Sequence, residues 1–294
     1  MQVSLPPRVA AIHDLSCFGR CALTVVMPTL SVMGYQVVPI PTALLSTHTG
    51  GFDGIHFRDL TGDMDAIAEH LDGLGVSFRA IYTGFLGSAE QIETVSHILD
   101  RFSARTDESG RSPFALIDPV MGDDGVLYST YTPELMRGMK RLAARADLLT
   151  PNLTEACFLT DTPWVDTETL PVDEALALAE SLLDRLERIA PARIVITGIP
   201  LADGTLANVG RDLNGSRFCI RHPHEGKPYP GTGDLFASVL LGTLLGGEDF
   251  PTACERAAVF TGEVIRESAL HDTPARNGVA LEAHLWRLCP RGDA

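Results

Sequence analysis

Six short apolar runs, rich in β-branched residues, alternate with longer stretches of helical periodicity, and this alternation narrows the fold more than any other feature of the chain. Arg8–Ile12, Gln36–Ile40, Phe78–Tyr82, Phe114–Ile117, Asp147–Leu149 and Arg193–Ile196 read as strands. Arg20–Met33, Met64–Leu71, Ala89–Arg101, Glu134–Ala144, Val172–Ile189, Leu235–Leu245 and Pro251–Ser268 read as helices. Strands separated by helices pair in parallel, so the expected class is α/β: a mainly parallel central sheet flanked by helices on both faces. Thr205–Ile220 breaks the alternation, with two strand-like runs around Asp212-Leu213-Asn214-Gly215, and predicts a late antiparallel hairpin. The 294 residues are expected to form a single domain.

Ligands of such sheets bind beyond the carboxyl ends of the strands. Those predicted ends carry His13-Asp14, Thr83-Gly84-Phe85, Asp118-Pro119, Thr150-Pro151-Asn152 and Thr197-Gly198. Gly, Pro, Asn and Asp close strands everywhere, so none of these is informative alone. Together they line one edge with small or acidic groups.

Charge and composition exclude several classes. A net charge of −15 without any Lys/Arg cluster argues against a nucleic-acid partner. No apolar run reaches the ~18–20 residues of a membrane span, and Met1–Arg8 has no secretion signal, so a cytoplasmic protein is expected. The six cysteines are scattered and match no structural zinc spacing, and the nine histidines contain no HExxH pair.

The most chemically specific segment is Pro230-Gly231-Thr232-Gly233-Asp234, which runs straight into the apolar stretch Leu235–Leu241. Two glycines allow close backbone approach, and a helix starting here aims free N–H groups at whatever precedes it. That makes an anion cradle beside a carboxylate able to take a proton, the pairing that phosphoryl transfer to an alcohol requires. In isolation the same residues would pass for ordinary turn and capping chemistry.

Further segments accompany it: Leu45-Ser46-Thr47-His48-Thr49-Gly50-Gly51-Phe52, Tyr82-Thr83-Gly84-Phe85-Leu86-Gly87-Ser88, Asp118-Pro119-Val120-Met121-Gly122-Asp123 and Thr150-Pro151-Asn152-Leu153-Thr154-Glu155. In order and spacing, and over nearly its whole length, the chain resembles the pyridoxal and pyridoxamine kinases of the ribokinase-like superfamily. The GTGD loop marks the superfamily, and SxHTG with TPNxxE points to the vitamin B6 branch. The resemblance implies a ribokinase-like fold and ATP-dependent phosphorylation of the 5′-hydroxymethyl group of pyridoxal, pyridoxamine or pyridoxine. Asp234 would be the base, and the amides of Gly231, Thr232 and Gly233 would hold the charge of the transferring group. It implies Asp118, Asp123 and Glu155 as the acidic positions that organise Mg²⁺ and a monovalent cation, directly or through water. Thr150, Asn152, Thr197 and Tyr128 fall on nucleotide-side positions, and Thr49 on a substrate contact. Ser46 and His48 would support that loop, and a homodimer is the family's common assembly.

Two departures from the family pattern stand out. Asp14 occupies a position where many relatives carry a substrate-binding Ser, and a carboxylate there suits a protonated pyridine nitrogen, with Ser16 as a fallback hydroxyl contact. Phe85 stands where relatives often place Tyr, leaving the apolar face and removing a hydroxyl. The connector Arg221–Tyr229, with Lys227, either lies over the nucleotide or simply joins hairpin to helix. The nearest rival is a hydroxymethylpyrimidine kinase of thiamine synthesis, whose usual Gly-rich N-terminal segment is missing from Ile12–Gly19. A non-catalytic vitamer-binding protein is a further alternative, and retention of both glycines with Asp234 argues against it.

Overall fold

Side chains along the inner strands alternate strictly between two cores, and that alternation places the helices. The computed structural model describes residues 5–107, 109–224, 227–271 and 273–290. In chain order the elements are β1 (Arg8–Phe18), α1 (Leu23–Val32), β2 (Gln36–Thr47), β3 (Phe57–Asp59), α2 (Thr61–Gly73), β4 (Ala80–Thr83), α3 (Ala89–Ser103) and β5 (Phe114–Ile117). There follow β6 (Gly122–Asp123), β7 (Val126–Leu127), α4 (Pro133–Ala143), β8 (Leu148–Leu149), α5 (Leu153–Leu159), α6 (Val172–Ile189), β9 (Arg193–Pro200), β10 (Thr205–Arg211), β11 (Arg217–Pro223), α7 (Thr232–Leu245) and α8 (Phe250–Leu270).

Nine strands form one sheet in the order β11-β10-β9-β8-β5-β4-β1-β2-β3, and β6 and β7 make a separate small hairpin. Pairing is parallel from β9 to β2 and antiparallel at both margins, where β10, β11 and β3 lie. Ala10, Ile12, Ile81, Ala115 and Ile117 face a core closed by α2 to α6. Val9, Ala11, Ala80, Tyr82 and Leu116 face the other, closed by α1, α7 and α8. Strands covered on both faces read as continuous apolar runs, which is why β4 and β5 were legible. No helix of the described residues is long and apolar enough to cross a membrane.

Several boundaries differ from expectation. The first strand does not end at Ile12: its pairing with β4 stops at Ile12–Thr83, while β1 continues to Phe18 along β2 after a register shift between His13 and Leu15. His13 and Asp14 therefore lie inside a strand, His13 paired with Pro41 and Asp14 at the irregularity before Leu15 pairs with Leu44. Thr197-Gly198 likewise lies inside β9, which runs on to Pro200. The first helix begins at Leu23 rather than Arg20, because residues 19–22 turn sharply to reach α7. The antiparallel hairpin Thr205–Ile220 is present as β10 and β11, joined to the main sheet through β9.

Candidate active site

The GTGD segment builds its site from one left-handed residue. Gly231 has φ 79° and ψ 2° and precedes α7 directly. A methyl group added there would overlap the carbonyl oxygen of Arg20 and lie 2.9 Å from Cys21 Cα, so only glycine fits. The helical ladder starts with Leu235 N–H donating to the Gly231 carbonyl at 3.0 Å. Helix geometry thus leaves over the amides of Thr232, Gly233 and Asp234, which concentrate positive potential at the mouth of α7. The Thr232 hydroxyl donates back to the Tyr229 carbonyl at 3.1 Å and so braces the loop. Gly233 has open space where a side chain would be.

Asp234 sits in the first turn with its side chain 15% exposed. Its Oδ2 accepts the Ala22 N–H at 2.8 Å. Ala22 is one of three described non-glycine residues with positive φ, at 49°, and this strained backbone aims that N–H at the carboxyl. Burial pushes the Asp234 carboxyl up to about 7, against the pull of the Ala22 N–H and with a further push from Asp14. Such a group ionises near neutrality, where a general base is useful.

Asp234 and Gly231 line a cavity of about 1030 Å³, at the upper end of the roughly 300–1,000 Å³ of small-molecule clefts. Asp14, Thr49, Phe85, Asp123 and Tyr128 line the same cavity. Ser16 is fully buried and donates its hydroxyl to Asp14 Oδ2 at 2.9 Å, so it supports the carboxylate from behind. Burial raises the Asp14 carboxyl, opposed by the Ser16 hydroxyl, its own backbone amide and His48.

His48 joins the site's first and last contributions. Its Nδ1 accepts the Gly50 N–H at 3.1 Å and its Nε2 lies 2.7 Å from the Arg276 carbonyl, which fixes the tautomer with the proton on Nε2. Arg276 also lines the cavity, its guanidinium 5.4 Å above the Phe52 ring. The next residue, Asn277, accepts the Arg20 N–H at 3.1 Å, and Gly278, at φ 71°, packs against the Arg20 backbone. Residues 274–276 thereby line the cavity while 277 and 278 tie the segment to Arg20, in the turn that carries Ala22.

Of the remaining expected residues, Asp118, Thr150, Asn152, Glu155 and Thr197 are not among those that line the cavity. Asp118 is buried at the end of β5, where burial raises its carboxyl well above the usual range, Glu155 and Asp234 adding to the effect and Thr150 opposing it. Glu155 accepts the Met121 N–H at 3.0 Å and the Asn152 N–H at 2.8 Å, while the Asn152 side chain accepts the Glu155 N–H at 2.8 Å. This is a reciprocal cap on α5. Burial pushes Glu155 up to about 7, with the Asn152 and Met121 amides opposing. Asn152 also donates to the Gly122 carbonyl at 2.9 Å, anchoring the hairpin that carries Asp123, and it bridges Thr197 of β9. Tyr128 follows the hairpin, its phenol pushed up by burial and by Glu155, Asp123, Asp118 and Asp234.

Among the described residues no three His, Cys, Asp or Glu side chains converge into a metal cage. Both Glu155 oxygens are engaged by backbone amides, whereas Asp118 and Asp123 keep acceptor capacity of the hard kind that Mg²⁺ prefers. Of the connector Arg221–Tyr229, Glu225 and Gly226 lie outside the described residues, and Pro228 and Tyr229 line the cavity. Residues to which the sequence assigned no individual role are Ala22, Arg276 and His13, the last noted only as a strand-end group and here fully buried 3.7 Å from Asp234. A second hollow, of about 620 Å³ between Lys140, Asp161 and Arg185, contains none of the residues above.

A parallel sheet whose carboxyl edge meets a left-handed glycine, bare helix amides and a largely buried carboxyl fits a ribokinase-like kinase, and pyridoxal kinase PdxY of Deinococcus radiodurans is 30% identical over 82% of this chain and 80% of that one. Residues 26–276 match the family model of phosphomethylpyrimidine kinase, and the chain belongs to that family. It is 28% identical to the pyridoxine/pyridoxal/pyridoxamine kinase of Bordetella avium, over 95% of this chain and 93% of that one. A Bacteroides thetaiotaomicron structure assigned to the phosphomethylpyrimidine kinases, in an orthorhombic form with pyridoxal, superimposes with TM-score 0.86 and 38% identity over 96% of both chains. Pyridoxal kinase from Leishmania donovani, in complex with ADP and pyridoxamine, gives TM-score 0.83 and 25% identity, covering 96% of this chain and 95% of that one.

Proposed function

We propose that this chain is an ATP-dependent kinase that phosphorylates the 5′-hydroxymethyl group of pyridoxal, pyridoxamine or pyridoxine in vitamin B6 salvage. The observation that carries the reading is the Asp234 carboxyl, held by Ala22 N–H on a cavity wall beside the bare first-turn amides of α7. The substrate oxygen attacks the γ-phosphorus in line, its proton passes to Asp234, and the bond to the β-phosphate oxygen breaks as ADP leaves. The amides of α7 meet the charge on the transferring oxygens. Gly231, by its left-handed turn, sets where those amides point.

Asp14, backed by Ser16, accepts a hydrogen bond from a protonated ring nitrogen, while Thr49 and Phe85 contact the vitamer. Mg²⁺ on the triphosphate would neutralise phosphate charge, with Asp118 and Asp123 holding it and its waters and a monovalent cation nearby. Glu155, committed to backbone amides, orients that region through water. Tyr128, Thr150, Asn152 and Thr197 serve the nucleotide side. The ligands named for the two solved structures above, pyridoxal in one and ADP with pyridoxamine in the other, support this pairing of substrates. We place the enzyme in the cytoplasm as a homodimer.

The family name favours a second reading, hydroxymethylpyrimidine as substrate, and the Asp14 carboxylate would equally accept an N–H from an aminopyrimidine. Initial rates with pyridoxal, pyridoxamine, pyridoxine and hydroxymethylpyrimidine at saturating MgATP decide between them. A larger kcat/KM for the pyrimidine would overturn the B6 assignment, and no ATP consumption with any of the four would overturn the kinase.

A further inference from the structure

Behind the base lies a polar layer that the reaction, as described so far, does not use. His13 on β1 is fully buried, with Nδ1 3.7 Å from Oδ1 of Asp234. Neither of its ring nitrogens has a hydrogen-bond partner, nor do the hydroxyls of Tyr82 and Ser238. Buried polar atoms are bonded in the great majority of cases, so such a cluster beside a reactive carboxyl calls for a reason. Tyr82 stands edge-on to the imidazole, ring centroids 4.3 Å apart at 85°. Ser238 follows Asp234 by one turn of α7.

The fold makes room for this ring at a cost to its neighbour. A side chain at Gly84 would run into the imidazole, its first carbon 2.5 Å from Cε1, so β4 must be followed by a glycine for His13 to sit where it does. Burial drops the imidazole to about 3, so it is neutral and carries one N–H and one lone pair. Of the two oxygens of Asp234, Oδ2 is held by Ala22, and His13 is the group that faces Oδ1 from the sheet. The 3.7 Å separation is loose for a hydrogen bond. Catalytic contacts are often long before substrate binds and tighten in the complex.

We propose that His13 is a positioning residue for the phosphoryl transfer. Its neutral imidazole directs Nδ1–H to Oδ1 of Asp234 and holds the carboxyl plane so that a free lone pair meets the substrate hydroxyl, with the Tyr82 ring packed edge-on against it. His13 keeps its proton throughout, and the hydroxyl proton passes to Asp234 alone. This inference rests on Asp234 being the base.

The test compares three variants of the full chain with Asp234→Asn measured alongside. His13→Leu keeps the volume and removes the donor, His13→Asn restores a donor near the Nδ1 position, and His13→Gln places one near Nε2 instead. His13→Leu is expected to lower kcat about 30- to 100-fold, the scale of a misplaced catalytic group, with KM for pyridoxal and ATP within about threefold of the parent. His13→Asn is expected to recover at least about tenfold of that loss and His13→Gln to recover little. Rates are taken per folded protein, and the Asn-to-Gln comparison stands even if the Leu variant does not fold. Equal kcat in the Asn and Gln variants, or a parental kcat in the Leu variant, overturns the role of His13. A parental kcat in Asp234→Asn overturns the base itself, and is thereby told apart.

Discussion

Replacing Gly231 by alanine should damage fold and chemistry together, while the same change two residues on should damage chemistry alone. At Gly231 the backbone is left-handed, φ 79°, which costs a residue bearing Cβ about 1–2 kcal/mol. The added methyl also meets backbone atoms, the Arg20 carbonyl and Cys21 Cα, which cannot swing aside as a flexible side chain would. Overpacking of that kind adds about 1–3 kcal/mol, so the total loss is about 2–5 kcal/mol. If residues 19–22 yield instead, the Ala22 N–H leaves the Asp234 carboxyl, and a misplacement near 1 Å costs about 100-fold in rate. Gly233 has an ordinary φ and nothing within 4 Å of its missing Cβ. Alanine there is neutral or gains up to about 1 kcal/mol in the helix, yet puts a methyl beside the bare amides where the phosphoryl group must sit. Urea unfolding of both variants, with steady-state rates at saturating pyridoxal, checks the pair. A Gly231→Ala midpoint equal to the parent's, or a Gly233→Ala midpoint lowered as far as that of Gly231→Ala, would refute the geometry.

Further outcomes follow from the carboxylates. Asp234→Asn should lower kcat about 10²–10⁴-fold with the Kd for ATP nearly unchanged, measured by calorimetry alongside rates. Because the base must be ionised, kcat/KM should fall as pH drops through about 7, the value to which burial pushes Asp234, and a profile flat down to pH 5 would contradict this. The folded protein holds protons on Asp234 and Glu155 up to about pH 7, against unfolded values of 3.8 and 4.5. Their stabilisation is therefore complete below about pH 4 and is lost as pH rises through about 7. The free protein should melt lower at pH 8 than at pH 5.5, and the gain in Tm on adding Mg²⁺ with ADP should be larger at pH 8. Asp14→Ser should flatten the pH dependence of vitamer binding, read by fluorescence titration. An unchanged profile would remove the pyridinium contact.

Most of the architecture was legible because the inner strands are covered on both faces and so are written as apolar runs, as in Phe114–Ile117. What escaped has physical causes. β3 is three exposed residues with a single apolar one, Phe57, too short for any alternation to read. The outer half of β1 carries Asp14, Ser16 and Cys17, polar or small residues that resemble a loop, and is held as a strand by pairing with β2 beyond the register shift. α5 is seven residues long and too short for a clear apolar period, so only its start was legible, in Glu155 as a helix-start charge three residues after Asn152, the spacing of a capping pair. The segment around Asp234 could be read directly, since glycine spacing and a following apolar helix specify both the turn and the amides. His13 and Arg276 could not, because each reaches the site through a fold-level juxtaposition, with Asp234 and with His48, that no local pattern encodes.

The bonds from His48 to the Arg276 carbonyl and from Arg20 to Asn277 have a consequence for biosynthesis. A ribosome delivers the strand bearing Asp14 first and the stretch 274–278 some 260 residues later, so the cavity lacks that wall until those residues have been made. Chains released before it would carry Asp234, the glycines and the whole sheet, and still lack the residues that close the cavity beside His48.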